Sequence, residues 1–589
     1  MATASTAHSA ALGNMDSVHI NAQASEPTVS PGQLPESMQT PAVSDSPSTG
    51  RGSNRWLLDP ATAYTRSALI LRLIGKRATF SQTPLSLRLW FWLAPLLTAL
   101  IGGVLRFVRL GEPNSLVFDE TYYVKDAYSY LQSGYERNWA EKANDLFNQG
   151  IFTGIQNTPE YVVHPPVGKW MIAFGMWLFG PGSTFGCRFS AAVVGTLSIF
   201  ILALIATKMF RSTILGAIAG LLFAVDGHAI VESRTSLLDI FVMFWALLAF
   251  GALLMDRDDG RRRLARKLSK LAGADGRVPA KALLYGPWLG MRWWRVAAGV
   301  SLGLCIGTKW SGLFFLAAFG VMSVVWDMSA RRIAGIKFWV TGALLKDGIL
   351  AFVSMVAVAS ATYLASWTGW FLSKDAYDRN WAQSNPSETW GWVPASLRSL
   401  WHYHDTAYNF HTGLSSDHPY KANAWSWFVM GRPTSFYSQY PVRGEDGCTA
   451  DKCAAMVTSL GNPLIWWGGS LAILFLIGVW IAKRDWRAGA ILVGFAAGYV
   501  PWLLYPNRTI FFFYAIAYEP FMILAVTMVL GLIMGAISKP PWRRQQGALF
   551  AGIFVVLAVL LSAYFYPIWT TELIPFEYWR QHMWLPSWI

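Results

Sequence analysis

Apolar runs separated by short polar or basic stretches recur from Leu89 to Tyr566. An α-helix needs about 20 apolar residues to cross a bilayer. By that measure the pattern predicts about eleven spans, at roughly 89–108, 188–208, 213–230, 236–254, 293–307, 311–327, 347–366, 463–482, 488–505, 510–536 and 548–566. The run Trp170–Gly180, inside HPPVGKWMIAFGMWLFGPG, is too short to cross comfortably. The expectation is an all-α polytopic membrane protein with two long polar interruptions, 111–187 and 367–462, and a Trp-rich tail from Pro567 to Ile589.

Charge orients this pattern. If 165–181 lies in or re-enters an interface rather than spanning, the loops carrying Arg261, Arg262, Arg263, Arg266, Lys267, Arg331, Arg332, Arg543 and Arg544 all fall on one side. If it spans, those clusters are placed outside, against the positive-inside rule. Arg51, Arg55, Arg66, Arg72, Lys76, Arg77 and Arg88 precede the first span against the single acid Asp59. The N-terminus is therefore expected in the cytoplasm and the C-terminus outside. The predicted organisation is a tail and basic segment (1–85), an N-terminal membrane module (86–366) that includes the outer loop 111–187, a large outer loop (367–462), C-terminal helices (463–566) and an outer aromatic tail (567–589). Residues 1 to about 50 lack apolar periodicity and read as a disordered tail, without the charged and apolar regions of a signal peptide.

Composition agrees with this picture and removes one class of partner. The chain is 53% hydrophobic and 14% charged, with 31 Trp and 35 Phe that suit interfacial belts. Its net charge of +14 reflects Lys and Arg gathered on loops facing anionic lipid, not nucleic-acid binding. Cys187 and Cys305 lie beside or within apolar runs and read as packing residues. Cys448 and Cys453, in GCTADKCA on an outer loop, favour a small disulfide, since too few further ligands lie nearby for zinc.

Candidate chemistry collects on the outer side. Asp119 and Glu120 follow the first span in LVFDETYYVKDAYSY. Asp is a favoured N-cap, so a helix cap is one reading; a carboxylate that takes a proton from an acceptor beside a lipid-borne donor is the other. Asp226, His228, Glu232, Arg234 and Asp239 surround another outer junction, where Arg234 is a candidate partner for Asp239; Lys309 lies at a further outer turn. Arg188 and Arg508 stand at outer span ends and serve either as interfacial anchors or as phosphate ligands. The loop around Ser399–Pro433 holds His402, His404, His411, His418 and Asp405, which favours an aromatic-rich folded loop over a metal site.

FDETYYVKDAYSY, HPPVGK at His164–Lys169, RFSAAVVG from Arg188, SRTSLLD from Ser233, HPYKANAWSW from His418 and FFFYAIAYEPF from Phe511 together resemble the protein O-mannosyltransferases, in particular their actinobacterial members. The resemblance implies a GT-C type fold with catalysis on the extracytoplasmic face of the cell membrane. It implies transfer of mannose from polyprenyl-phosphate-mannose to Ser or Thr hydroxyls of exported polypeptides, with the secretion translocon as a candidate partner. It makes Asp119 the catalytic carboxylate, with Glu120 beside it, and Arg188 a functionally important arginine. Arg188 is then the first choice for the donor phosphate or for positioning Asp119. Lys169, Arg234, Arg508, His164 and Tyr123 are further candidates for the donor, and His418, Tyr420 and Trp425 for acceptor or sugar. No metal cofactor is required by this chemistry. The segment 367–462 is too short for the β-rich module of eukaryotic members. Two alternatives are a GT-C transferase moving an arabinose-type sugar to lipid or glycan, and a secondary transporter.

Overall fold

The protein is described from a computed structural model, which covers residues 66–75 and 85–589 apart from residue 537. The expected disordered tail and most of the basic segment before the first span lie outside the described residues. Among those described, eight helices are long and apolar enough to cross a membrane: Arg88–Phe107, Thr184–Phe210, Asp239–Leu271, Gly312–Ile333, Trp339–Ser366, Pro463–Lys483, Trp486–Leu504 and Pro541–Trp569. The pair Thr213–Val225 and Gly227–Ser233, bent by 64°, makes a ninth if it is one broken span.

This count is lower than the eleven expected from hydropathy, for a geometric reason. Each expected segment does form helix, but Trp293–Ile306 has 14 residues and Glu519–Met534 has 16. At about 1.5 Å per residue these cover roughly 21 and 24 Å, less than the roughly 30 Å of a hydrocarbon core. The run 510–536 is lengthened by apolar residues outside its helix, whereas 293–307 is short in the sequence itself. The short run after HPP is the helix Val167–Phe179, which starts behind Pro166 and ends at Gly180 with φ 90°. It buries Ile172, Ala173 and Met176 and exposes Phe174 and Trp177.

Polar caps delimit several spans. Ser183 accepts from the Gly186 N–H, Asn462 from Leu464 and Ile465, and Asp485 from Arg487. Within the body, small residues allow close helix contact. A Cβ on Gly303 would sit 2.6 Å from the Ala359 carbonyl oxygen, so Trp293–Ile306 packs directly on the backbone of Trp339–Ser366.

The two long polar segments are not all-α. In the first, the helix Glu120–Ser133 is followed by an antiparallel pair, Arg137–Trp139 with Ile155–Pro159. In the second, Thr434–Gln439 pairs with Cys453–Ser459, which pairs in turn with Ile574–Pro575 of the C-terminal tail. A disulfide joins Cys448 to Cys453 at the start of the central strand. The tail thus folds into the second loop, and Trp588 is buried there, donating its indole N–H to the Met430 carbonyl at 2.7 Å. The expectation of an all-helical chain missed these strands because each is short and none shows a sustained period of two.

Candidate functional site

Adjacent in sequence, Asp119 and Glu120 have opposite surroundings. Phe118 adopts a left-handed backbone with φ 46°, turning the chain sharply into the helix Glu120–Ser133. Glu120 is fully buried. Its Oε1 accepts from Arg188 Nε at 2.9 Å and from the Ser236 N–H at 2.8 Å; its Oε2 accepts from Arg188 Nη2 at 2.9 Å and the Val117 N–H at 2.9 Å. Arg188 spends its remaining donors on the carbonyls of Leu110, Pro113 and Ser115. The pair therefore clamps the loop 110–117 and the Ser236 backbone around the turn that presents Asp119.

Asp119 occupies the N-cap position, yet its side chain makes no capping hydrogen bond. Its carboxylate has no hydrogen bond or ion pair to any described side chain. It is half-buried. Burial raises its pKa to about 6, against the lowering effect of Lys309 and with a smaller raising effect from Asp239.

The cation that acts on this carboxylate, Lys309, comes from elsewhere in the chain and shares a cavity with Arg508. Lys309 sits in the turn between Trp293–Ile306 and Gly312–Ile333. Its ammonium donates to Asp239 at 2.7 Å and lies 4.8 Å from the centre of the Tyr514 ring. Burial pulls its pKa down, but Asp239, Tyr514 and Asp119 outweigh that effect, so the group is held charged. Arg508 donates Nε to the His411 carbonyl at 2.9 Å and packs on Trp502. Lys309, Arg508, His164, His411, Tyr505 and Tyr514 line a cavity of ≈ 200 Å³ that also takes in the apolar side chains of Leu313 and Phe314.

Histidines complete the wall as neutral groups. Burial and then Lys309 hold His164 well below its ordinary pKa, and burial brings His411 down to about 4. His411 donates Nε2–H to the Val163 carbonyl at 2.9 Å, leaving Nδ1 to accept from Arg508 at 3.4 Å. The two imidazoles lie 5.1 Å apart, and Tyr123 packs at 6.0 Å from His164.

Several expected site residues are engaged elsewhere, Arg188 first: Glu120 and the carbonyls of Leu110, Pro113 and Ser115 take up its donors, leaving none for a donor phosphate. Lys169 is buried against Glu136 and Asp126 and donates to the His164 carbonyl at 2.9 Å. Arg234 donates to the carbonyls of Arg106, Val108 and Arg109, closing the C-terminal end of the first span. Asp239 is paired with Lys309, not with Arg234 as considered from sequence. Asp226 caps Gly227–Ser233 and accepts from the Asn462 N–H, while His228 meets Glu519 at 2.7 Å; both belong to the buried joint between the two halves of the membrane body. His418 packs edge-on against Phe118 and Phe511, and its Nδ1 accepts from the Tyr420 N–H. Tyr420 lies under Arg432, and Trp425 is exposed. His402 stacks on Trp381 while His404 meets Tyr363, so the loop histidines do not converge. Among the described residues no group of three or more His, Cys, Asp or Glu is arranged to hold a metal ion.

Sequence reasoning noticed Lys309 but gave it no role, and it passed over Tyr505 within the cavity wall. The signal for Lys309 was GTKWSG, a glycine-bounded turn between two apolar runs that leaves a lysine at the membrane edge.

The arrangement offers a carboxylate without a bonding partner among the described residues, under the influence of Lys309, which with Arg508 lines an apolar-sided cavity. That combination can accept a proton while an anionic group on a lipid is held nearby.

Comparisons with known proteins agree on one family. Residues 96–273 match the family model described as dolichyl-phosphate-mannose-protein mannosyltransferase, and residues 396–588 match that of the C-terminal four-helix membrane region of protein O-mannosyltransferase. A polyprenol-phosphate-mannose–protein mannosyltransferase of Mycolicibacterium smegmatis is 38% identical over 84% of this chain and 93% of its own length. The correspondingly named protein of Mycobacterium tuberculosis is 35% identical over 85% and 92%. In fold, the chain is similar to the Saccharomyces cerevisiae protein O-mannosyltransferase Pmt1-Pmt2 complex bound to the sugar donor, with a TM-score of 0.63 at 15% identity, covering 89% of this chain and 94% of that one. The chain belongs to the protein O-mannosyltransferase family.

Proposed function

We propose that this protein transfers mannose from polyprenyl-phosphate-mannose to Ser or Thr hydroxyls of exported polypeptides, on the extracytoplasmic face of the cell membrane. The observation that carries the mechanism is the half-buried Asp119 carboxylate, without a bonding partner among the described residues, acted on by Lys309, which with Arg508 lines a cavity. The acceptor oxygen attacks the anomeric carbon as the bond from that carbon to the phosphate oxygen breaks. The bonding electrons leave with the polyprenyl phosphate, and the acceptor proton passes to Asp119. A single displacement inverts the anomeric centre.

Lys309 and Arg508 stabilise the charge that grows on the departing phosphate, in a site partly shielded from water. Their fixed positive charge supplies what a divalent metal would otherwise provide, so the reaction is assigned no metal cofactor. Glu120 and Arg188 position the Asp119 turn and touch neither substrate. His164 and His411, held neutral, serve as hydrogen-bonding walls. The basic clusters at the far ends of the spans, including Arg331 and Arg332 at the end of Gly312–Ile333 away from Lys309, support this sidedness. The secretion translocon is the candidate source of unfolded acceptors.

The test is mannosyl transfer from polyprenyl-phosphate-mannose to a Ser/Thr peptide by membranes containing Asp119→Asn. A carboxylate base contributes about 10²–10⁴-fold, so the rate should fall by that factor with the protein still present. Undiminished transfer would remove Asp119 from the mechanism.

A further inference from the structure

The strand Thr434–Gln439 is an edge. Its sheet runs in the order Thr434–Gln439, Cys453–Ser459, Ile574–Pro575, and no backbone hydrogen bond from the described residues reaches its outer side. Proteins usually blunt such an edge with charge or proline. This strand, TSFYSQ, carries neither.

Its irregularity points towards the catalytic turn. The register shifts between Ser435 and Tyr437, leaving Phe436 as an extra residue in the strand. Such bulges re-aim a side chain. Here Phe436 is buried and stacks on Phe118 with ring centres 5.1 Å apart. Phe118 is the left-handed residue immediately before Asp119. Phe513 packs on both rings, at 5.4 and 5.7 Å, one residue before the Tyr514 that contacts Lys309. A single layer of aromatic rings thus couples the edge strand to both the carboxylate and the cation.

We propose that the acceptor polypeptide binds as an additional β-strand along the free edge of Thr434–Gln439, which sets its Ser or Thr beside Asp119. This rests on the transferase reading above and names how that enzyme holds its acceptor. A strand added to a sheet lies about 4.8 Å from its neighbour and rises about 3.3 Å per residue. Thr434 is fully buried, so the accessible edge runs from Ser435 to Gln439 and engages about five residues of acceptor. Affinity comes from main-chain hydrogen bonds, which any unfolded sequence can make, while alternate side chains face the ring layer. Such binding suits an enzyme that modifies polypeptides of varied sequence.

The experiment is an N-methyl scan. A Ser/Thr acceptor peptide is synthesised with one backbone N-methyl group at each position in turn, and kcat/KM is measured with the wild-type enzyme in proteoliposomes. In an added strand only alternate N–H groups face the sheet. Methylation should lower kcat/KM by about tenfold at positions of one parity and leave the others near the parent value. Equal sensitivity at all positions, or at none, would overturn the proposal; the latter is the result if a second copy of the chain occupies the edge. If the unmethylated parent peptide takes up no mannose, the transferase reading itself is overturned.

Discussion

The two ends of the membrane body treat buried charge in different ways. At the end away from Asp119, Arg292 and Arg295 both bridge Asp256 and Asp327 at 2.7–3.1 Å, and Arg331 meets Asp347 at 2.7 Å. Three arginines face three aspartates, all buried. Asp256 lies 17 residues along the same helix from Asp239, about 26 Å away at 1.5 Å per residue. At the Asp239 end the matching is incomplete. Glu120 is saturated by Arg188 and Lys169 is held by Glu136, but among the described residues Asp119 has no partner and Lys309 bonds only Asp239, beside the Tyr514 ring. A network that neutralises itself holds helices together. One that leaves a base and a cation uncommitted has capacity for a substrate.

The largest expected effects separate these two roles. Asp119→Asn should abolish most transfer and leave thermal stability in detergent near the parent value, because the carboxylate holds nothing in place. Its neighbour should behave in reverse. Glu120→Gln leaves the buried Arg188 guanidinium without its counter-charge, and breaking a buried pair from one side costs about 3–5 kcal/mol. The expected result is a lower unfolding temperature and poor recovery, with transfer lost in proportion to folded protein and more where the turn shifts. If Glu120→Gln were as stable as the parent but catalytically dead, Glu120 would move into the chemistry.

Asp327→Asn applies the same argument at the opposite end. It removes one of the two counter-charges that Arg292 and Arg295 share, leaving Asp256, so a clear but smaller loss of stability than for Glu120→Gln is expected. Here kcat per folded molecule should be unchanged, measured as activity normalised to monodisperse protein. A drop in kcat without a drop in stability would mean that the far network acts on the site.

The sequence carried the position of this site better than its wiring. The acidic pair, HPPVGK and RFSAAVVG were visible as motifs, and charge asymmetry grouped them on one side. Which acid was free was not visible, because Glu120 is satisfied by a residue 68 positions away and Lys169 by one 33 positions away. Periodicity reports faces, not such long-range pairs. Arg234 looked like a phosphate ligand for the same reason: the carbonyls it satisfies belong to the end of the first span, more than 120 residues earlier. Span counting failed where apolar runs continue past the helix, as before Glu519–Met534, whose run begins in the aromatic turn Phe512–Ala517. The strands escaped notice because the longest, Cys453–Ser459, is buried on both faces and shows no alternation.

Smaller effects distinguish the two cations. Arg508→Ala should raise the KM for polyprenyl-phosphate-mannose by about ten- to a hundredfold, the worth of a charge-assisted hydrogen bond, with the peptide KM little changed. A change confined to the peptide KM would place Arg508 on the acceptor side.

The finest comparison is electrostatic and reads Asp119 through its neighbour. A base must be ionised, and with a pKa of about 6 Asp119 is mostly ionised at pH 7.5 and mostly protonated at pH 5. The kcat/KM for transfer should therefore rise with pH through about 6 and then level off, whereas an ordinary aspartate would be half-active only at about pH 4. Lys309 pulls the Asp119 pKa down, and Asp239 pushes it up. Lys309→Ala removes the first influence and leaves the second, so the acid limb should move to higher pH, in addition to any loss of donor affinity. An acid limb that stays in place or moves lower in that variant would mean that the group titrating in catalysis is not Asp119.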